Sequence, residues 1–272
     1  MKLHSLLAAT ALAFTTGAAL AEVDPLDLVD PIAEYKVYVT ERTAKLVEGT
    51  TEFVATIKAG DAKAARALYA SIRVPYEEIE PIAELFSDLD VSIDSRADDY
   101  ELLEKDPEFP GFHRIEYSLW VENSTEGLEP VADKLLADVT ELNARIEALT
   151  FPPEKVVGGA AVLMEEVAFT KISGEENRYS RTDLWDFKAN ADGSYYIVNL
   201  VRPLIVDSEA EFLAAVDGNF NRVFDILKQY EDGEGGYVSY LELTDADRNV
   251  VSAAINTLAE DLSTLRGKLG LD

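Results

Sequence analysis

One histidine and one glutamate, three residues apart, are the side chains whose types and spacing first suggest chemistry in this sequence. The sequence contains two histidines, His4 and His113, and His113 is followed by Glu116 in the run GFHRIE. On a helix, residues three apart share a face, so this imidazole and carboxylate would form half of a metal site. Ordinary surface pairs have the same spacing, so the interpretation depends on further ligands.

Further oxygen ligands could come from three acidic clusters elsewhere in the chain. Glu77 and Glu80 lie in the run PYEEIEP, Asp94 lies in SIDSR and Glu176 lies in GEENRY. With one imidazole, these carboxylates would form an oxygen-rich site that suits iron, manganese or calcium better than structural zinc. A bound cation would also relieve the repulsion between the carboxylates. The alternative is that each cluster is a solvated acidic turn.

Several classes of enzyme lack their required residues in this sequence. His113 is the only histidine after residue 4. The zinc-peptidase motif H-E-x-x-H needs two histidines, and a ferritin-type di-iron site needs two Glu-x-x-His pairs. The chain has no cysteine and no G-x-S-x-G run, which argues against cysteine and serine triads. It also has no P-loop and no glycine-rich dinucleotide motif.

The strongly acidic composition favours cations as partners. The formal net charge is −28, from 52 acidic and 24 basic residues. Nucleic acid and anionic membrane surfaces are therefore poor partners. A solvated acidic surface that keeps the protein in solution would give the same charge, so the charge alone does not identify a ligand. The absence of cysteine excludes disulfides, thiolate metal sites and lipid attachment to a cysteine after the signal.

The N-terminus has the features of a secretory signal. Lys2 precedes an apolar, alanine-rich run over 6–20, and residues 19–21 (ALA) form a small-residue cleavage site. We therefore expect residues 1–21 to be removed and 22–272 to form the mature, exported protein. No later run approaches the roughly 18 apolar residues of a membrane-spanning helix.

Apolar periodicity predicts an all-α fold. The clearest apolar seam on one helix consists of Val251, Ile255, Leu258, Leu262, Leu265 and Leu269. A second helix is predicted over 129–149, and others begin at Asp61, Pro153 and Ser208. We expect one compact domain of helical bundles, with two packed bundle-like halves that meet near Phe151.

Turn-forming residues predict the connections between these helices. Residues 190–193 (NADG) and 232–236 (DGEGG) are predicted turns, and 195–200 are predicted as the first turns of a helix that ends near Pro203. The region 88–111 is predicted as a long excursion between helices, where function is often located. The prolines of PYEEIEP predict a helix start or a single tight turn there.

Three blocks of sequence, in this order and spacing, resemble the imelysin-like family, also called the M75 peptidase family. They are residues 73–81 (RVPYEEIEP), 111–116 (GFHRIE) and 171–184 (KISGEENRYSRTDL). In particular, the whole mature chain is similar to the M75 domain of the EfeO and EfeM iron-uptake proteins. The resemblance implies a mostly helical fold of two bundle-like halves, with a metal site between or beside them.

The resemblance also implies a set of metal ligands and a cargo. Carried over by position, the ligands are Glu77, Glu80, Asp94, His113, Glu116 and Glu176. The implied metal is ferrous or ferric iron, with manganese, zinc, copper and calcium as alternatives. Six protein ligands on one ion would prevent exchange, so we expect some to contact other ligands or to form a second, weaker site.

The function implied by the resemblance is periplasmic iron capture and delivery to an inner-membrane iron permease of the EfeUOB type. A periplasmic haem peroxidase would be the third component of the system. The predicted signal runs almost directly into the M75 helices, so the chain resembles the short EfeM form and lacks the cupredoxin-like domain of EfeO. Arg181 stands where the family block has a histidine, and its charge would oppose a nearby cation.

Two other functions stay open from the sequence. One is binding of an acidic polysaccharide, with a divalent cation as the bridge between carboxylates of both partners. The other is a metallopeptidase, which needs an activated water and a general base, for which Glu116 or Glu176 could serve. A single histidine after the signal does not complete a peptidase motif, so we expect no enzyme activity.

Overall fold

Helices account for nearly all regular structure in the computed structural model, which describes residues 23–271. In chain order they are α1 (Val29–Lys58), α2 (Ala62–Glu77), α3 (Glu80–Ala83), α4 (Ser87–Asp94), α5 (Gly111–Tyr117), α6 (Glu129–Ala148), α7 (Pro153–Phe169), α8 (Asp183–Ile205), α9 (Ala210–Leu227), α10 (Asp245–Ser263) and α11 (Leu265–Lys268). Within residues 23–271, isolated β-pairing is confined to a bridge between Glu231 and Tyr237. The predicted all-α fold is confirmed.

The helices pack in two groups. In the first group α1 lies against α2 and α6, and α4 and α5 pack on α6. In the second group α7 and α9 each lie against α8 and α10. The chain passes from one group to the other between α6 and α7, where Phe151 is buried. The groups meet where α2 contacts α8 and α3 contacts α7, in agreement with two packed bundle-like halves.

Capping and apolar periodicity explain several helix boundaries. The Asp61 side chain accepts a hydrogen bond from the N–H of Ala64 at the start of α2, and the Thr244 hydroxyl accepts one from the N–H of Asp247 at the start of α10. Each bond satisfies a backbone donor that has no partner inside the helix. The C-terminal seam is buried throughout, but it spans α10 and α11 rather than a single helix, because α10 ends at Ser263.

The middle of α8 differs from its predicted structure. Residues 190–193 were predicted as a turn and 195–200 as the start of a helix, yet both lie inside the helix that begins at Asp183. Packing explains the glycine in this run, because a Cβ on Gly193 would lie 2.2 Å from the carbonyl oxygen of Glu78. The glycine therefore allows α8 to approach the backbone after α2 closely, and it does not mark a turn.

Three further predictions of helix boundaries differ from the structure. Helix α2 continues through Pro75 to Glu77, since a proline in the last turn removes a single backbone hydrogen bond. The region 88–111 begins with most of α4 and becomes irregular after Asp94. Ser208 does not cap α9, because Glu209 precedes that helix and makes no side-chain capping bond.

Two predictions concern the membrane and the N-terminus. The predicted signal, residues 1–21, lies outside the described residues. Among the helices of residues 23–271, none is both long enough and apolar enough to cross a membrane.

Candidate metal centre

The candidate site lies where the two helix groups meet. The six predicted ligand residues come from α2 (Glu77), α3 (Glu80), the end of α4 (Asp94), α5 (His113 and Glu116) and the segment between α7 and α8 (Glu176). All of them are buried except Asp94, which is partly exposed. The six residues lie in one connected neighbourhood. Five of them fall into two groups of contacts, and Glu116 contacts His113 of the first group.

The first group, which we call the metal cluster, consists of Asp94, His113 and Glu176. Each residue offers one ligand atom, and the three atoms lie within 4.8 Å of one another. The Nε2 atom of His113 is 3.5 Å from Oδ1 of Asp94 and 3.5 Å from Oε1 of Glu176. Although His113 is buried, Nε2 has no hydrogen-bond partner among residues 23–271. Two carboxylates and an imidazole nitrogen without a hydrogen bond fit a cation such as iron or manganese.

Glu116 holds the imidazole from its other side. Its Oε2 atom lies 3.1 Å from Nδ1 of His113, and its Oε1 atom accepts hydrogen bonds from the backbone N–H groups of Tyr179 at 3.0 Å and Ser180 at 2.7 Å. Both carboxylate oxygens are therefore engaged. A carboxylate on Nδ1 orients a histidine whose Nε2 binds metal, and this one also ties α5 to the segment that carries Glu176.

Gly111 allows α5 to begin directly against the end of α4. Its φ angle is +71°, and a Cβ at this position would lie 2.2 Å from the carbonyl oxygen of Ile93. A side chain is therefore excluded both by backbone conformation and by contact. Because Ile93 precedes Asp94 and Gly111 lies two residues before His113, this approach brings two members of the metal cluster together.

Arg73 is the cation at the centre of the site. It is fully buried, and it forms ion pairs with four carboxylates, Glu77, Asp94, Glu176 and Asp186. Such a charge is tolerated in a protein interior when it is paired and hydrogen-bonded. Arg73 therefore fixes the positions of two metal-cluster carboxylates and links them to α2 and α8.

The second group, which we call the ion-paired group, consists of Glu77, Glu80 and Lys171. The buried Nζ of Lys171 donates to Oε2 of Glu77 at 2.7 Å and to both oxygens of Glu80 at 2.8 and 3.0 Å. Asn190 of α8 donates to the same two carboxylates. Glu77 and Glu80 thus share the buried Lys171 as a partner.

Arg73, Lys171 and Asp186 were not predicted as site residues. A signal was present for Arg73, which lies four residues before Glu77, the spacing of a helical ion pair. Lys171 and Asp186 flank the block that contains Glu176, yet nothing in their local sequence indicates burial. Their roles depend on contacts with residues distant in sequence, such as the pairing of Lys171 with Glu80.

An acidic cavity of about 280 Å³ leads to the metal cluster. Its lining includes Glu80, Glu84, Asp90, Asp94, Asp99, Glu166 and Glu176, together with Arg96. A cleft lined by charges of one sign concentrates ions of the opposite sign. The cavity therefore provides a route by which a cation can reach two of the three ligand residues.

The two carboxylates of the metal cluster differ in their affinity for protons. Burial raises the pKa of Asp94 to about 6, against the opposite effect of Arg73. Burial acts in the same direction on Glu176, but Lys171, His113 and Arg73 outweigh it, so the pKa of Glu176 lies well below its usual range. Glu176 therefore stays ionised at neutral pH, whereas Asp94 titrates in mildly acidic conditions.

His113 is protonated at neutral pH in this surrounding. Burial and Arg73 favour the neutral ring, but Glu116, Glu176 and Asp94 outweigh them and raise the pKa of His113 to about 9. A metal ion needs the neutral imidazole, so it must replace a proton at this site.

Comparison with known proteins identifies close relatives. The model of the imelysin family, peptidase M75, matches residues 31–265. The iron uptake system component EfeM of Pseudomonas syringae pv. syringae is 54% identical over 268 residues, which cover 98% of this chain and 94% of that protein.

Two further relatives are longer than this chain. The iron uptake system component EfeO of Yersinia pseudotuberculosis is 58% identical over 249 residues, which cover 92% of this chain and 66% of that protein. The protein of the same name from Escherichia coli O1:K1 is 56% identical over 247 residues, with 91% of this chain and 66% of that protein covered. The chain thus spans about two thirds of the EfeO relatives.

Proposed function

Because this chain belongs to the imelysin (peptidase M75) family, as its three sequence blocks predicted, we propose that it is the iron-capturing component of an iron uptake system. Its relatives are named iron uptake system components, which supports a role in iron uptake. In this proposal Asp94, His113 and Glu176 bind the iron, Glu116 orients the imidazole, and the iron is cargo that must leave again.

The unpartnered Nε2 atom of His113 is the observation that carries the proposal. Buried polar atoms are almost always hydrogen-bonded, yet this one has only two ion pairs with carboxylate oxygens at 3.5 Å, longer than an ordinary hydrogen bond. A cation between the imidazole and the carboxylates would satisfy all three groups. Three protein ligands also leave coordination positions for water or for a group of a partner protein, through which the ion can be exchanged.

The same contacts argue for binding rather than peptide hydrolysis. A general base must reach the proton that it removes. Both oxygens of Glu116 are engaged, by Nδ1 of His113 and by two backbone N–H groups. Glu176 is paired with Arg73 and Arg96, which lowers its basicity. Neither glutamate is therefore placed as a general base.

The cellular setting that we propose follows from the predicted signal and the family resemblance. The mature chain, residues 22–272, would act in the periplasm after export. It would pass iron to an inner-membrane permease, in a system that also contains a periplasmic haem peroxidase. Its acidic cavity would concentrate cations near the metal cluster.

The test is metal binding by the purified mature chain. Elemental analysis and titration calorimetry would be carried out with Fe²⁺ under anaerobic conditions, Fe³⁺, Mn²⁺, Zn²⁺, Cu²⁺ and Ca²⁺. We expect tight binding of iron, and loss of that binding in the double variant His113→Ala, Glu116→Ala, because a ligand and its orienting group are both removed.

A matched control is Asp207→Asn. Asp207 is exposed just after the end of α8, whereas Asp186 of the site lies in the first turn of that helix. A helix of this length separates the two ends by roughly 30 Å, so the control should keep wild-type affinity. Iron affinity that persists in a folded double variant, or no binding of iron by the wild-type chain, would contradict the proposal.

A further inference from the structure

Arg96 stands between the acidic cavity and the metal cluster. It lines the acidic cavity and also a cavity of about 10 Å³ beside His113. Its Nη1 atom donates to Oε2 of Glu176 at 2.9 Å, and its side chain is 31% exposed. A cation that moves from the acidic cavity toward Glu176 therefore meets a guanidinium that is already bound to that carboxylate.

The two arginines that hold Glu176 differ in how easily they can be displaced. Arg73 donates to Oε1 of Glu176 at 2.9 Å, but it is fully buried, and removing it from its partners would leave unpaired charges in the interior. Arg96 is partly exposed, and its Nη2 atom lies 4.0 Å from a second carboxylate, Oε1 of Glu166. Arg96 can therefore leave Glu176 while its charge stays near a carboxylate and near water.

We propose that Arg96 competes with the cargo ion for Glu176 and thereby sets the affinity and the release rate of the site. This inference rests on the proposed iron-binding function. When an ion binds, the guanidinium moves from Glu176 toward Glu166, and when the ion leaves, it returns. Its return adds a second cation, beside Arg73, to Glu176 as the ion departs, so both oxygens of this buried carboxylate stay paired.

The sign of one measurement separates this role from a purely structural one. If Arg96 only orients Glu176 for binding, then its removal should weaken metal binding. If Arg96 competes with the ion, its removal frees Oε2 of Glu176 and removes a positive charge next to the ion, so binding should become tighter. Like charges a few ångströms apart in a partly buried site repel strongly enough to change affinity by about tenfold or more.

The experiment compares Arg96→Gln with Arg202→Gln in the mature chain. Each variant removes one positive charge, but Arg202 pairs with Asp217 and lies roughly 24 Å along α8 from Asp186 of the site. Titrations would use Mn²⁺ and, under anaerobic conditions, Fe²⁺. Dissociation of the ion would be followed by stopped-flow mixing with EDTA.

We expect Arg96→Gln to bind Mn²⁺ and Fe²⁺ about tenfold more tightly than the wild-type protein and to release them more slowly. Arg202→Gln should stay within about twofold of wild type, because its partly exposed ion pair with Asp217 is remote from the metal cluster. Arg96→Lys, which keeps the charge, should stay closer to wild type than Arg96→Gln. Circular dichroism and thermal unfolding would verify that all three variants are folded.

The outcomes distinguish this inference from the proposed function. A wild-type chain that binds neither ion would overturn both. A wild-type chain that binds iron, with Arg96→Gln equal to Arg202→Gln or weaker than wild type, would overturn the competition and leave the proposed function in place. Equal tightening in Arg96→Lys and Arg96→Gln would also overturn it, because the effect would not depend on charge.

Discussion

The metal cluster and the ion-paired group are neighbours with similar composition, but the third group that faces their carboxylates differs. In the ion-paired group, Lys171 donates to Glu77 and Glu80 at 2.7 to 3.0 Å, so the carboxylates already have a cation. In the metal cluster, the imidazole of His113 faces its carboxylates at 3.5 Å without a hydrogen bond from Nε2. The ion-paired group is held by a lysine, whereas the metal cluster contains a protonated imidazole whose Nε2 atom can bind a metal ion in place of its proton.

This difference shows that the number of carboxylates does not define a metal site. Each acidic side chain in the interior needs a positive partner, and the fold supplies that partner in one of two ways. Where a lysine or arginine is built into the chain, the carboxylates stabilise the contact between the helix groups. In the metal cluster Arg73 also pairs with both carboxylates, but the third member is an imidazole that can exchange its proton for a metal ion.

The largest effect that we expect is on stability, in the ion-paired group. Lys171→Met would leave Glu77 and Glu80 buried without their shared cation, so the free energy of unfolding should fall by about 3–5 kcal/mol. Urea denaturation would measure it. Affinity for Mn²⁺ should not fall in the folded variant, because Lys171 is not a ligand and its charge opposes the ion.

The matched control for this prediction is Lys58→Met. Lys58 also pairs with a carboxylate, Asp133, but the two side chains are 43% and 54% exposed. The loss should be less than about 1 kcal/mol, because solvent screens an exposed pair. Equal losses in the two variants would show that the buried lysine has no special role in the contact.

The next effect is on metal affinity and concerns the orientation of His113. In Glu116→Gln the amide nitrogen cannot accept a hydrogen bond from Nδ1 of the imidazole, so affinity for Mn²⁺ should fall by about 10- to 100-fold. Glu80→Gln is the control, because it makes the same chemical change in the ion-paired group. Since Glu80 is paired with Lys171, this variant should alter the affinity for Mn²⁺ by less than about threefold. Calorimetric titration of both variants would measure the contrast. If Glu80→Gln weakened Mn²⁺ binding as much as Glu116→Gln, the division into two groups would be incorrect.

A smaller effect is expected at Gly193, which allows α8 to pack against the segment between Glu77 and Glu80. In Gly193→Ala the new Cβ would lie 2.2 Å from the carbonyl oxygen of Glu78, so the backbones must separate. We expect a loss of about 1–3 kcal/mol in the free energy of unfolding, with Mn²⁺ affinity close to that of wild type. Gly218→Ala is the control, because a Cβ at Gly218 meets nothing within 4 Å. A variant that lost affinity but not stability would contradict this assignment.

Gly193 also illustrates which parts of the fold could be predicted from the sequence. Apolar periodicity predicted the helices over 129–149 and 251–269 because burial of one face repeats with the helical period. The run NADG has the composition of a turn, but tertiary packing overrides that tendency inside α8. Local sequence cannot reveal that a glycine is needed for contact with Glu78, more than a hundred residues earlier in the chain.

For a similar reason, only part of the site could be predicted from the sequence. His113 and Glu116 share a helix face, as their spacing predicted, and their side chains lie 3.1 Å apart. The spacing of Glu77 and Glu80 is the same, yet Lys171 occupies them. The partners of the two pairs therefore depend on residues distant in sequence, such as Lys171, and no local pattern indicates them.

A further effect is the dependence of metal binding on pH, and it acts through His113 in the metal cluster. The pKa of His113 is about 9, above its ordinary value of 6.5, so the ring is protonated at neutral pH and an ion must displace one proton. Affinity for Mn²⁺ should therefore rise by about tenfold per pH unit between pH 6 and pH 8 and level off above pH 9. Below about pH 6 the slope should steepen, because the pKa of Asp94 is about 6 and its carboxylate also becomes protonated.

Protein stability should respond to the same proton in the opposite direction. A histidine whose pKa is raised on folding contributes stability that is complete below the unfolded pKa and is lost as the pH rises through the folded pKa. For His113 that window runs from about pH 6.5 to about pH 9. Calorimetric Mn²⁺ titrations in buffers of different ionisation enthalpy would count the released protons, and urea denaturation across the same range would measure stability. One proton released per ion, together with falling stability and rising affinity, would assign both effects to His113. Binding that is independent of pH would mean that the ion does not displace the proton of His113 and does not bind in the metal cluster.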